Sequence, residues 1–235
     1  MNRIGAIASA LSTAAIVVVM PATASAAQPA PDKALNKRSA TTATTGTQWR
    51  EPCTDAYHDD ARLGPKRLPK LWNRPVGPLL LGYQRTGRLS SDAFLKKYWE
   101  GPADKGGWKY PPNDGFAQVN GEIDKKPKQL RPGQRLDRFG SEYGGYLAPA
   151  GDRYAKRALP PQNLNTRDAA FPCDYRVYTV TKKFTVWQGS IAPWFEQPGG
   201  GQQIKLDPVF LNPGQEQRLN VKWLLDNGYL AQARR

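Results

Sequence analysis

Apolar and polar positions alternate most clearly in the second half of the chain. Tyr175 to Val180 (Tyr-Arg-Val-Tyr-Thr-Val) and Phe184 to Trp187 (Phe-Thr-Val-Trp) carry the two-residue period of strands. Thr181-Lys182-Lys183 joins them, which suits a hairpin or a pair of adjacent strands. Ile204-Lys205-Leu206 alternates and predicts another short strand. Leu136 to Leu147 sets glycines at 140, 144 and 145 among aromatics at 139, 143 and 146, a pattern of turn-rich β structure. Helical spacing is rarer. Ser90 or Ser91 caps a helix running through Asp92 to Trp99, with Phe94, Leu95 and Tyr98 on one side and Gly101-Pro102 as its stop. Val221, Leu224 and Leu225 form one face of a last short helix, Gly228 supplies its left-handed cap, and Tyr229-Leu230 packs back. Pro78 to Tyr83 reads as a strand or a loop packed on the core, Gly106 to Gly121 as loop, and Asp124 to Pro132 as a charged connection. The class is α+β: a single compact domain with a mostly antiparallel sheet, short helices and long Gly/Pro-rich loops.

The N-terminal pattern differs. Arg3, the apolar run Ile7 to Met20 and Ala24-Ser25-Ala26 form a secretory signal over residues 1–26, cleaved near Ala26. The run is short for a membrane span, so no stable anchor is expected. Residues 27–50, rich in Ala, Thr, Pro and Gly, read as a solvated linker. The expected organisation continues with an N-terminal part of the domain at 51–105, holding the short helix, and a main part at 106–235. In a secreted chain the two cysteines, Cys53 and Cys173, predict one disulfide. The balance of 34 Lys and Arg against 20 Asp and Glu gives a net charge of +14. Those cations are scattered and match no nucleic-acid-binding pattern; they describe a basic surface that draws anionic substrates or a cell envelope.

The residue inventory narrows the chemistry. The one histidine, His58, lies beside Asp59 and Asp60 and reads as an exposed turn residue. Ser-His-Asp triads and two-histidine zinc sites therefore lose support. A paired-carboxylate hydrolase stays open, with Asp114, Asp137, Glu142, Asp152 and Glu196 as candidates, although most such residues serve as turn caps or ion-pair partners. Arg138 and Arg157 sit in stretches rich in glycine, proline or aromatics, and arginine is the side chain suited to bidentate phosphate contacts, although in a chain this basic most arginines serve the surface. Trp194-Phe195-Glu196-Gln197-Pro198-Gly199-Gly200-Gly201 precedes Gln202-Gln203. Three successive glycines mark backbone that bends sharply or lies close to something, and the flanking aromatics offer flat faces.

Several of these pieces, in order, carry a family resemblance. They are Trp108-Lys109-Tyr110-Pro111 with Asp114-Gly115-Phe116; Leu136-Asp137-Arg138-Phe139-Gly140; Gly145-Tyr146-Leu147-Ala148-Pro149; Arg157-Ala158-Leu159-Pro160-Pro161; Ala192-Pro193-Trp194-Phe195 with Gln197-Pro198 and the triple glycine; and Gln203. From about Trp108 to Leu230 the chain resembles the tuberculosis necrotizing toxin family of secreted NAD glycohydrolases. The resemblance implies hydrolysis of the nicotinamide–ribose bond of NAD by a secreted, monomeric toxin or effector. NADP is an alternative substrate and an immunity protein a possible partner. It places Gln203 and Arg157 as catalytic, with Gln202 the neighbour that a one-residue slip would substitute. Arg138, Phe139, Tyr146 and Trp194 fall on substrate-binding positions. Some fungal members carry calcium near the C-terminus, but no matching acidic cluster stands here, so no metal and no cofactor are expected. The rival readings are a catalytically inactive nucleotide- or cell-surface-binding module, an ADP-ribosyltransferase, and a basic envelope-binding module.

Overall fold

In the computed structural model, which describes residues 51–233, the chain after residue 125 builds one seven-stranded sheet, with β-branched and aromatic residues concentrated in Tyr175–Val180 and Phe184–Ser190. Its strands are β1 (Lys126–Leu130), β2 (Arg135–Phe139), β3 (Tyr146–Pro149), β4 (Tyr175–Val180), β5 (Phe184–Ser190), β6 (Gln202–Lys205) and β7 (Leu230–Gln232). The order is β7-β4-β2-β3-β6-β5-β1, and every pairing is antiparallel. Two helices accompany the sheet, α1 (Ser91–Tyr98) and α2 (Val221–Asp226), among several one-turn 3-10 segments. The α+β class expected from the alternation is therefore the one observed. Ser90 caps α1 by accepting from the Ala93 amide, and Gly228 takes φ +68° after α2.

The hairpin expected at Thr181-Lys182-Lys183 does not form. β4 pairs with β2 and β7, whereas β5 pairs with β6 and β1. The linker lacks the Gly, Asn or Asp of a two-residue hairpin turn. Its Thr181 and Lys182 amides donate instead to Tyr229 O. This connection also fixes the shape of the sheet. Four strand spacings in a flat sheet cover about 19 Å, yet the chain from Val180 to Phe184 reaches at most about 14 Å. The sheet must fold over on itself. Leu130, Tyr178, Val180, Phe184, Val186 and Ile204 fill the resulting core together with Val221 and Leu224 of α2.

Two other local expectations change. Asp124 to Pro132 contains the edge strand β1 rather than only a connection; Lys126, Pro127 and Lys128 discourage further strand pairing along it. Pro78 to Tyr83 begins inside a 3-10 turn, Gly77–Leu80, whose Leu79 and Leu80 are buried, because prolines at 75 and 78 disfavour a ladder. The signal peptide and linker expected over 1–50 lie outside the described residues.

Cys53 and Cys173 are bonded, with Cα atoms 5.0 Å apart, and sit in a second core with Leu79, Leu80, Phe139 and Tyr154. The bridge closes a loop of 120 residues. Chain-entropy arithmetic gives such a loop about 4–5 kcal/mol. Reduction is expected to lower the melting temperature by roughly 8–20 °C, at about 2–4 °C per kcal/mol for a domain of this size. Scanning calorimetry with and without a phosphine reductant checks this; an unchanged midpoint would show that the bridge contributes nothing.

Candidate active site

A cavity of about 600 Å³ opens where β2, β3 and β6 meet the loop 110–115 and the turn after Tyr154–Arg157. That volume suits a ligand the size of a dinucleotide. Gln203 reaches it through strand parity. Side chains alternate along β6, so Gln203 and Lys205 face the cavity loop, while Ile204 enters the core. Gln202 points to the other side, where its Oε1 accepts from Gln188 Nε2 at 3.2 Å. The choice between the two glutamines is thus made by the pleat.

The triple glycine prepares β6. Gly199 takes φ +66°, and a Cβ there would strike the carbonyls of Ile191 and Ala192. Gly201 donates to Lys156 O at 3.0 Å, in contact too close for a side chain. The loop therefore docks on the turn that carries Arg157 before the chain enters β6.

Loop 110–115 forms a strap across the other side of Gln203. Asn113, Asp114 and Gly115 take φ values of 55°, 57° and 85°, three left-handed residues in succession. The strap is pinned by Lys205 Nζ to Asp114 Oδ2 at 2.7 Å and by the Ala192 amide donating to Gly115 O at 2.9 Å. Gln203 Nε2 donates to Asp114 O at 2.9 Å. That carbonyl can only accept, so it fixes the amide with its NH₂ toward the strap and leaves Oε1 as the acceptor for a ligand. Lys205→Met is expected to lower kcat by up to about fivefold, the range of a partly exposed ion pair of ~1 kcal/mol. Steady-state kinetics beside an unchanged melting curve checks it; a kcat identical to wild type would show that the strap needs no latch.

The two arginines differ. Arg157 is 6% exposed and committed. Its Nη1 donates to Asp137 Oδ1 at 2.5 Å and its Nη2 to Asp137 Oδ2 at 2.9 Å; Nε and Nη2 also donate to Asp152 O. Asp137, fully buried, further accepts from Tyr175 Oη at 2.7 Å and the Gly151 amide at 2.9 Å. Burial, then the adjacent Asp137 carboxylate, pushes the Tyr175 phenol up, so it stays a donor. Arg138 has no carboxylate partner among the described residues. Its Nε donates to Ser141 O at 2.7 Å and its Nη1 to Tyr146 O at 2.5 Å. The guanidinium lies against Gly144, where any Cβ would collide with it. Burial lowers its pKa from the ordinary value, yet it remains a cation on the cavity wall. It is the charge in this cavity available to an anion.

The aromatic positions also separate. Phe139 lines the cavity but is 1% exposed, with its ring against Tyr154, Tyr175 and the Arg157 guanidinium. It acts as a wall rather than a stacking face. Tyr146 is 38% exposed and Tyr110 61%, and both line the cavity. Burial, followed by Asp114, pushes the Tyr146 phenol up. Trp194 does not line the cavity: its Nε1 donates to Lys109 O at 2.7 Å and its ring meets Tyr98 edge-on. Phe195, fully buried, is the hub of an aromatic core with Phe94, Tyr98 and Trp108. The pair braces the strap's root and presents no face to a ligand in the cavity.

Of the five candidate carboxylates, only Asp114 and Asp137 line the cavity, and both are ion-paired. Glu196 binds Lys97 and Tyr98, Glu142 lies 3.8 Å from Arg176, and Asp152 accepts from the Gln202 amide. His58 is exposed beside Ser91 and Tyr57, outside the cavity lining. Sequence reasoning gave no role to Tyr110 or to Asn163, which lines the cavity while donating to Phe139 O. Tyr110 stood within a quoted motif; nothing in the sequence marks Asn163.

Residues 129–233 match the family model described as tuberculosis necrotizing toxin. A conidial surface nicotinamide adenine dinucleotide glycohydrolase of Aspergillus fumigatus is 43% identical over 193 residues, covering 77% of this chain and 76% of the relative. The chain belongs to the tuberculosis necrotizing toxin family. Gln203, Arg138, Arg157, Phe139 and Tyr146 all fall inside the span matched by the tuberculosis necrotizing toxin model, whereas the strap at 110–115 lies before it. Among solved structures, tuberculosis necrotizing toxin complexed with its immunity factor aligns at 25% identity with a TM-score of 0.47, over 63% of this chain and 76% of that one.

Proposed function

We propose that the chain is a secreted NAD glycohydrolase that cleaves the nicotinamide–ribose bond of NAD, releasing nicotinamide and ADP-ribose. One observation carries the assignment of roles: the same cavity holds an uncharged amide acceptor, Gln203 Oε1, and a cation with no carboxylate partner among the described residues, Arg138.

The chemistry asks for little more. Nicotinamide departs as a neutral molecule from a cationic pyridinium, so no general acid is required. Positive charge develops on the ribose, as in other glycosidic cleavages through an oxocarbenium-like state. Gln203 Oε1 accepts from a ribose hydroxyl or from the attacking water and is favoured as that charge grows. Arg138 binds the pyrophosphate and supplies orientation. Tyr110 and Tyr146 offer ring faces to nicotinamide or adenine. Arg157 acts through Asp137, holding the wall between β2 and the turn, and is a positioning residue in this reading. No metal or organic cofactor is called for, because NAD is the substrate. NADP is the alternative substrate, and an immunity protein is the partner this reading needs wherever export is incomplete.

The test is to incubate the protein with NAD and follow free nicotinamide and free ADP-ribose together. Both are expected to appear in equal amounts. Nicotinamide released with ADP-ribose fixed to an acceptor would replace this reading with a transferase; no turnover would leave a binding module. Arg138→Met is expected to raise KM about 10- to 150-fold, the equivalent of one charged hydrogen bond of about 1.5–3 kcal/mol, with a much smaller change in kcat. Equal losses in kcat and kcat/KM would instead place Arg138 at the reacting carbon.

A further inference from the structure

Between Asp60 and Asp92 the chain carries seven cations and no carboxylate. Three of them are used internally. Arg62 pairs with Asp60, Arg67 with Asp55 at 3.3 Å, and Arg85 donates to the carbonyls of Leu63 and Pro65. Lys66, Lys70 and Arg74 are exposed, with no carboxylate partner among the described residues. Between the last two stand Leu71, 51% exposed, and Trp72, 74% exposed. Tryptophan is ordinarily one of the more deeply covered side chains, so an indole this open beside an open leucine is a departure that calls for a cause.

The loop is built to hold them out. The Asn73 amide donates to Lys70 O and the Gly77 amide to Asn73 O, both at 2.8 Å. Val76 is 4% exposed, and a Cβ on Gly77 would strike the Lys70 carbonyl. The turn is thus rooted in the disulfide-bearing core while its tip projects. Lys70 Nζ lies 5.3 Å from the Trp72 ring centre, which sets a cation beside the indole. None of these residues lines the cavity.

We propose that the loop Lys70–Arg74 docks this protein on an anionic lipid bilayer. Leu71 and Trp72 enter the boundary between headgroups and acyl chains, and Lys66, Lys70 and Arg74 bind the headgroup phosphates. A soluble polyanion would reward the cations but not the aliphatic side chain and indole between them. A bilayer rewards both: indoles settle at the interface, and basic residues add their attraction to its surface charge. The contact is peripheral, since among the described residues no helix is long and apolar enough to cross a membrane. It uses no residue of the cavity and is independent of the NAD reading.

The experiment is co-sedimentation of the chain from Ala27 onward, without the apolar run Ile7–Met20, with vesicles of phosphatidylcholine alone or containing about 30% phosphatidylglycerol, at low and high salt. Binding to the anionic vesicles is expected, weakened by salt and weak on neutral ones. The Leu71→Ser/Trp72→Ser double variant and the Lys70→Gln/Arg74→Gln double variant should each lose about tenfold or more of that binding, while retaining the melting temperature and NAD turnover in free solution. Absence of vesicle binding overturns the proposal. So does equal binding to neutral vesicles, and so does binding that survives Leu71→Ser/Trp72→Ser, which would mark adsorption by charge alone.

Discussion

Gln203→Ala is expected to reduce kcat for NAD hydrolysis by about 10²–10³-fold, the ~2.7–4 kcal/mol that a preorganised dipole at a developing charge contributes. The argument rests on orientation. Asp114 O accepts from Gln203 Nε2 and so fixes which end of the amide meets the ligand, before any substrate arrives. No reorganisation is needed as positive charge builds on the ribose. Gln202→Ala is the internal control, because that side chain lies across the sheet with Gln188 and outside the cavity lining. It should turn over NAD within about twofold of wild type, as surface changes generally do. Nicotinamide release under saturating NAD measures both. Equal loss in the two variants would mean that β6 responds as a structural unit, and full activity in Gln203→Ala would remove the amide from the mechanism.

The second large effect concerns stability. Asp137→Ala leaves the Arg157 guanidinium buried at 6% exposure with its carboxylate gone, and deprives Tyr175 Oη and the Gly151 amide of their acceptor. Breaking a buried pair from one side costs about 3–5 kcal/mol. At roughly 2–4 °C per kcal/mol, the melting temperature should fall by about 6–20 °C. Arg157→Met should cost a similar amount from the other side. The Asp137→Ala/Arg157→Met double variant is expected to recover part of the loss, because it leaves neither charge stranded. Thermal melts of the four proteins close the cycle. Strict additivity would show that the two residues act apart. Turnover measured well below each midpoint then tells whether Arg157 does anything beyond holding Asp137.

The strands were legible wherever β-branched and aromatic residues cluster in one segment. β4 is one: its Tyr178 and Val180 face the sheet core, and its Tyr175 and Val177 face the disulfide core. Pairing was not legible. Thr181-Lys182-Lys183 is local, but both partners of β4 and the edge partner of β5 come from distant parts of the chain, and a three-residue link between non-neighbours arises only once the sheet has folded over. The site followed the same division. The family resemblance supplied Gln203, Arg138 and Tyr146, and only the folded strand, through its parity, separates Gln203 from Gln202. Whether an arginine is free or committed depends on what is packed beside it. Asp137 stood one residue before Arg138 in the sequence, yet it pairs with Arg157, twenty residues on. The Trp194-Phe195 pair suggested an open aromatic face because it adjoins glycines; tertiary packing turned Phe195 into the centre of an aromatic core instead.

β6 is held by hydrogen bonds to β3 on one side and β5 on the other, and β5 is itself covered by the edge strand β1. The amide that does the chemistry is therefore borne by an interior strand, one whose backbone exchanges with solvent only when the whole sheet opens. Local fraying at the strap or at the Lys70–Arg74 loop leaves that strand in register. Heat and denaturant should remove the last turnover in the same cooperative step that dissolves the fold, and any partial loss before it reports fraying of the strap that orients Gln203. One of the partners of β6, β5, is the strand just before it in the chain and the other, β3, is distant, so its two-sided pairing is complete only once that long-range contact has formed. A folding molecule would pass from inert to active only with that pairing.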